Sequence, residues 1–244
     1  MLDIVAILNI PTSVWGWFVG FIAVSLLAIR SFRRYLVLKT PLQFYYVLTG
    51  LTFGLALGCY SVPFMLSDRE SILKTAFIVG DAFIYLALIV QTRILWYLGL
   101  HKLMRYGFLL IPVVLLSLIS WGVSTVYTIS TSVSIVSNVV VYSLPAITLY
   151  LQAGLFLVML AVGYFFIREA ISMISVKQKL KSLTLGTTYV LVGIAVIINN
   201  IFFQGLNNTA LVNLLYLTVF GIFLLSLVVL NIRLRRQPQQ PKSP

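Results

Sequence analysis

The chain has 244 residues, of which 61% are hydrophobic and only 9% are charged, against about 25% charged in an ordinary soluble domain. With a mean hydropathy of +1.06 it cannot clothe a water-facing surface, which excludes most soluble enzyme classes and predicts an all-α integral membrane protein. The charge is lopsided, 17 Lys and Arg against 5 Asp and Glu, net +12, so the question is on which side of a bilayer the positive groups fall.

A spanning helix needs about 20 mostly apolar residues. Seven stretches meet that length: 11–32, 42–66, 72–98, 106–127, 144–168, 183–204 and 210–232. The first ten residues carry no basic n-region and no small-residue cleavage site, so no signal peptide is expected. Thr40-Pro41 reads as an N-cap and first helical proline opening the second stretch, and Ser143 with Pro145 reads the same way for the fifth. Pro112 lies inside the fourth and Pro63 near the end of the second. Trp15, Trp17, Trp96 and Tyr97 suit interfacial belts.

The basic residues alternate with these stretches. Arg30, Arg33, Arg34 and Lys39 follow the first; Arg93, Lys102 and Arg105 flank the third-to-fourth junction; Arg168, Lys177, Lys179 and Lys181 follow the fifth; Arg233, Arg235, Arg236 and Lys242 form the tail. With the N-terminus outside, 15 of the 17 fall inside, leaving only Arg69 and Lys74 outside. The positive-inside rule therefore predicts a seven-helix bundle, N-terminus out and C-terminus cytoplasmic, in a plasma or cytoplasmic membrane. Residues 1–232 form one transmembrane domain and 233–244 a basic tail. The excess charge then attracts anionic lipid headgroups on the inner face, and no nucleic-acid partner is expected.

Between the fourth and fifth stretches, YTISTSVSIVSNVVVYS is uncharged, rich in β-branched residues and partly alternating. It predicts a hairpin turning at Ser137-Asn138, which is either a lid over the outer mouth or an ordered surface loop. Tyr46-Val-Leu-Thr-Gly50-Leu resembles Tyr189-Val-Leu-Val-Gly193-Ile, a faint internal repeat that six apolar letters also produce by chance. Gly50, Gly54 and Gly58 allow close helix packing within the bundle, or at the face of a homo-oligomer.

Asp81 is the one acid inside a predicted span, about 14 Å below the outer surface at 1.5 Å per residue. Such acids cost a few kcal/mol and face a bundle interior or a watery cavity, so Asp81 is either a ligand contact, an ion or proton site or a protonation switch, or else makes an interhelical hydrogen bond to Asn, Tyr or Ser; Tyr60 and Ser61, at the end of the second stretch, lie at a similar depth. Lys74, two turns outward on the same face, is in position to reach it. Tyr85, Gln152, Asn199, Asn200 and Gln204 fall in the same outer half, which suggests a ligand- or ion-binding pocket opening outward; the alternative is that these amides merely join helices. Arg30, Arg33, Arg34, Lys102, Arg105, Lys177, Lys179, Lys181, Arg235 and Arg236 would meet lipid or a cytoplasmic protein partner. Asn207-Asn208-Thr209 matches a glycosylation sequon. One cysteine (Cys59) makes no intrachain disulfide. With one histidine (His101) it falls short of the four or so ligands of a metal site, so no metal is expected.

The segment YFFIREAISMISVKQKLKSLTLGTTYVLVGIAVIINNIFF, residues 164–203, resembles the fifth-helix, basic-linker, sixth-helix pattern of the seven-helix sensory module found at the N-terminus of some membrane histidine kinases. The resemblance implies a receptor whose output is a separate protein at the basic face, since only about twelve residues follow the seventh stretch. Microbial rhodopsins share the helix count but hold retinal through a lysine in helix seven. ALVNLLYLTVFGIFLLSLVVLNI has none, so covalent retinal, or any other cofactor, is not expected. The Pro-Gln motif of the sugar-transporting PQ-loop families is absent from the helices. Three readings follow: a receptor-like or sensory protein with an outward polar pocket, a small transporter or proton-coupled carrier using Asp81, and a non-catalytic subunit of a larger complex. An enzyme is not expected, because acid–base chemistry needs several positioned titratable groups.

Overall fold

The structure is a computed structural model that describes residues 10–67, 69–102, 105–131, 133–136, 139–141 and 144–198, with the single residues 218 and 221. The helices are α1 (Thr12–Leu38), α2 (Pro41–Leu66), α3 (Glu70–Leu98), α4 (Tyr106–Ser130), α5 (Ala146–Ser172) and α6 (Val176–Ile198), with a short 3-10 turn at Leu100–Lys102. Among the described residues, these six are long and apolar enough to cross a membrane. The seventh predicted stretch, 210–232, lies outside the described residues except for 218 and 221.

The helices outrun the apolar stretches at the charged end. α1 continues past residue 32 through Arg33 and Arg34, and α6 starts at Val176 rather than 183. Lys, Arg, Gln and Leu are good helix formers, and long basic side chains keep their heads in water while their stems cover the helix. Apolarity measures hydrocarbon thickness, whereas the helix stops only where its backbone is capped. For α1 that stop is Lys39 in the left-handed region (φ 50°), its N–H bonded to Tyr35 O. Thr40 then caps α2, Gln43 N–H donating to its Oγ1 at 3.3 Å, with Pro41 in the first turn as expected. At α5 the expectation is corrected. Pro145 itself occupies the N-cap with no side-chain cap bond, because a proline one residue before the helix has the extended backbone a cap requires; Ser143 is outside the described residues.

Consecutive helices pack antiparallel. On α2, a Cβ at Gly50 would lie 3.0 Å from Ala28 Cβ, and one at Gly54 3.3 Å from Ser25 Oγ. The glycine ladder is thus spent on α1 rather than on a second copy. α5 and α6 cross more tightly: a Cβ on Gly163 would meet Gly186 O at 2.7 Å, and one on Gly186 would meet Gly163 O at 2.8 Å. The two halves of the faint repeat occupy equivalent places. Gly193 presses on Leu160 of α5 as Gly50 presses on Ala28 of α1, and Tyr46 and Tyr189 both pack against Phe166, with ring centroids 5.7 and 6.1 Å from it.

The hairpin forms as read. β1 (Ser134–Val136) pairs antiparallel with β2 (Val139–Val141), Val136 opposite Val139, leaving two residues for the turn. It stands at the end of the bundle opposite the basic junctions. At its base Val133 and Leu144 join Trp17, Phe64, Met65 and Phe77 in packing around the buried Val14.

α4 shows why the bundle belongs in lipid. It buries Ser117, Ser120, Ser124 and Thr128, each 2% exposed or less, and exposes Phe108, Ile111, Leu115, Leu118, Val126 and Ile129. Polar groups inward and apolar groups outward is the inverse of a soluble amphipathic helix, and it is stable only where the surrounding solvent is hydrocarbon.

Candidate functional site

Asp81 sits on α3, 5% exposed, and joins three helices. Tyr60 of α2 donates its hydroxyl to Asp81 Oδ1 at 2.5 Å, and Ser124 of α4 donates to Oδ2 at 2.7 Å. The approach of Tyr60 depends on Gly80. A Cβ there would lie 2.5 Å from the Tyr60 ring, so only glycine leaves room for the tyrosine to cross α3 and reach the next residue. No cation is bonded to Asp81 among the described residues; its partners are neutral hydroxyls.

One turn toward the basic end, a second group repeats the arrangement. Tyr85 Oη and Ser120 Oγ are 2.7 Å apart, and Gln152 Nε2 of α5 donates to Tyr85 Oη at 2.8 Å. Together the two groups tie α2, α3, α4 and α5 at nearly one depth. Interhelical hydrogen bonds of this kind contribute about 0.6–2 kcal/mol each in a bilayer.

Toward the hairpin, Asp81 is roofed. Tyr60 packs between Trp17 (5.5 Å) and Phe77 (5.4 Å), and Trp17 packs on Phe64 at 6.4 Å. Above that layer Glu70 Oε1 accepts the Val133 N–H at 3.1 Å and pairs with Lys74 Nζ at 3.1 Å, while Lys74 also donates to Ile129 O at 3.3 Å.

Asp81, Tyr85 and Gln152 are thus brought together as the sequence suggested. Lys74 is not with them. Its amine turns to Glu70 one turn away, because a flexible ammonium settles beside an exposed carboxylate and a loop carbonyl rather than threading into apolar packing. Asn199, Asn200 and Gln204 lie outside the described residues. Among the described residues, the aromatic layer of Trp17, Phe64 and Phe77 lies on the hairpin side of Tyr60. A shallow groove lined by Cys59, Ser71, Thr75 and Val79 lies between α2 and α3 and touches none of the predicted site residues.

At the opposite end Arg33 and Arg34 are exposed and Arg30 half-buried on the last turns of α1. Arg105 is exposed just before α4, Lys179 is exposed and Lys181 half-buried on α6; Lys102 ends the 3-10 turn and Lys177 lies in the first turn of α6. Arg235 and Arg236 lie outside the described residues. Arg93, read only as part of this basic junction, is boxed by aromatic rings: its guanidinium lies 4.3 Å from the Tyr106 centroid, 4.7 Å from Trp96 and 5.4 Å from Tyr97.

Sequence reading missed the row of hydroxyls on α4; an interhelical bond from Asp81 to a tyrosine or serine was among its alternatives, and Tyr60 and Ser124 make it. The α4 set was available as a signal, since 117, 120, 124 and 128 recur at helical spacing on one face. Among the described residues no group of three or more His, Cys, Asp or Glu stands ready for a metal. No family profile, curated protein or solved structure matches the chain. What the fold defines is a multi-pass membrane protein with a buried carboxyl bridging its helices.

Proposed function

We propose that this chain is a receptor-like, seven-helix membrane protein, N-terminus outside, whose switching element is the Asp81 network and whose output is a separate partner at the basic inner face. The observation that carries this reading is the bridging of α2, α3 and α4 through one carboxyl, with the aromatic layer of Trp17, Phe64 and Phe77 between it and the base of the hairpin. A ligand or outer partner that displaces the roof changes the setting of Tyr60, and with it the bond that fixes α2 against α3. The outer pocket is then closed in the resting arrangement. Arg33, Arg34, Arg105 and Lys179 present the inner surface to anionic headgroups and to the partner.

The test is gentle purification from native membranes followed by mass spectrometry, then thermal unfolding with each candidate ligand found. Binding to the folded form raises stability by linkage. The reading requires a ligand whose stabilisation Asp81→Asn weakens, or a stoichiometric inner-face partner; neither being found sinks it. A second reading, a proton-coupled carrier, draws on the neutral surroundings of Asp81. It requires substrate-dependent proton flux in vesicles that Asp81→Asn abolishes.

A further inference from the structure

Helical hydroxyls in this bundle commonly turn back on their own helix. Thr52, Ser61, Thr75, Thr184 and Thr188 each donate to the carbonyl four residues before, at 2.7–2.9 Å. Thr128 of α4 and Thr148 of α5 do not. They are 1% and 0% exposed, and neither hydroxyl has a hydrogen-bond partner among the described residues. Leaving a buried hydroxyl unmet is costly, and these two are not spent on their own backbone.

The helix register places both beside Asp81. Ser120 of α4 and Gln152 of α5 meet at Tyr85 Oη. α3 and α5 both start at the hairpin end and run parallel, while α4 runs back toward it. Four residues before Tyr85, at Asp81, the matching positions are therefore Ser124 on α4 and Thr148 on α5, and Ser124 does bond Asp81. One turn nearer the hairpin the same count gives Phe77, Thr128 and Leu144, and Phe77 and Leu144 do both pack against Val14. The Oδ2 edge of Asp81 faces α4, and the hydroxyls at its level and one turn outward are Ser124, Thr148 and Thr128. Ser117, also unpartnered, lies two turns from Ser124 toward the basic end, beyond reach of the same ligand.

Ser124 and Thr128 are four residues apart, which sets such side chains about 5–6 Å from each other. A hydrogen bond does not span that interval. A hard cation does, since it holds oxygens at about 2.3–2.6 Å and so bridges a pair about 5 Å apart. The single carboxylate sets the charge of the ion. A divalent cation would leave a net charge in a low-dielectric interior, at high cost, whereas a monovalent one leaves none. Lys74 does not take that place: it is seven residues away, about 10 Å along the helix, and is paired with Glu70.

We propose that Asp81 Oδ2 and the hydroxyls of Ser124, Thr128 and Thr148 bind a monovalent metal cation of the sodium class, which neutralises the carboxylate and draws α4 and α5 onto α3. Tyr60 keeps the other carboxyl oxygen. Water fills the remaining positions, as it does around hard cations. The titratable groups facing Asp81 are Tyr60 from α2 and Tyr85 on its own helix. α4 faces it with Ser120 and Ser124 and α5 with Thr148 and Gln152, none of which is ionisable, and α1 supplies Trp17 behind Tyr60. The proposal rests on the reading above only in taking Asp81 as a binding group, and needs neither an outer ligand nor an inner partner.

The experiment is thermal unfolding of the full chain, purified in detergent without alkali salts, at rising sodium chloride with ionic strength held by N-methylglucamine chloride. Above half-saturation each tenfold in sodium should raise the folding constant about tenfold. Asp81→Asn should abolish the response. Thr128→Val and Thr148→Val keep the shape and remove an unmet hydroxyl, so their stability without sodium should hold or rise. Their half-saturating sodium should increase by about tenfold or more, the scale on which groups of a metal site act; a purely structural threonine would leave it unmoved. Falling pH should raise the half-saturating sodium as well, because a proton competes for the same carboxylate. Equal stability in sodium and N-methylglucamine overturns the proposal and is the result that ordered water in place of the ion predicts. A sodium response that survives Asp81→Asn, or a half-saturating sodium unchanged in either threonine variant, overturns it too. If Asp81→Asn fails to fold, the threonine variants and the pH dependence still decide. Failure of the receptor reading shows instead in ligand and partner binding, which a sodium titration of the isolated chain does not involve.

Discussion

Tyr60 reaches Asp81 across the backbone of Gly80, its hydroxyl 2.5 Å from the carboxyl oxygen and its ring where any larger residue at position 80 would place a Cβ. One glycine therefore decides whether the buried acid has two donors or one. Through that bond it decides how α2 sits on α3, and through Trp17 and Phe77 how the roof sits on both.

Gly80→Ala is expected to push the Tyr60 ring off Asp81 and to destabilise the fold by about 1–3 kcal/mol, the usual cost of overpacking. Because the bond is then already lost, Tyr60→Phe should cost much less in the Gly80→Ala background than in the natural chain. A double-mutant cycle by unfolding in detergent measures that coupling; purely additive losses would refute the arrangement.

Replacing Asp81 separates shape from hydrogen bonding. Asp81→Asn keeps an acceptor, and the hydroxyls of Tyr60 and Ser124 can turn to accept from its amide, so the chain should fold with a modest loss. Asp81→Leu strands two buried hydroxyls at about 1–3 kcal/mol each. Thermal unfolding should therefore rank the natural chain above Asn and Asn well above Leu; Leu equal to Asn would show that the hydroxyls have other partners.

The crossing of α5 and α6 leaves no room at all. Gly163→Ala and Gly186→Ala each drive a methyl into the opposite backbone carbonyl, 2.7 and 2.8 Å away, and backbone cannot step aside as a side-chain tip can. Each should lower stability by about 1–3 kcal/mol or more. Gly122→Ala and Gly154→Ala, with no neighbour within 4 Å among the described residues, should be neutral or slightly stabilising through the higher helix propensity of alanine.

The hairpin is held by Glu70. Glu70→Ala removes the acceptor of the Val133 N–H and frees Lys74, and hydrogen exchange at Val133 should speed up by about tenfold. Glu70→Gln keeps an acceptor oxygen and loses only the exposed ion pair, which solvent screens, so its exchange should stay close to that of the natural chain. Equal acceleration in both variants would assign the latch to the charge rather than to the Val133 bond.

Much of this protein was readable along the chain, because the quantities involved are local. Apolar runs of spanning length marked six helices that the structure shows. Thr40 and Pro41 marked where α2 begins, and the alternation around Ser137-Asn138 marked the hairpin; each depends on residues a few positions apart. The place of Asp81 along α3 was legible for the same reason, as a count of residues from a helix end. Its partners were not. Lys74 shares a face with Asp81 on paper, yet Glu70 lies nearer and in water, and the amine goes there. Tyr60 could be placed among the polar groups at the outer end of α2, but not that Gly80 leaves it a path to Asp81, and the α4 hydroxyls gained meaning only once that face turned toward α3. Which donor meets which acceptor depends on how helices far apart in sequence rotate against one another. That rotation is set by close packing at a few small residues such as Gly50, Gly80, Gly163 and Gly186, so it was decided by the tertiary structure alone.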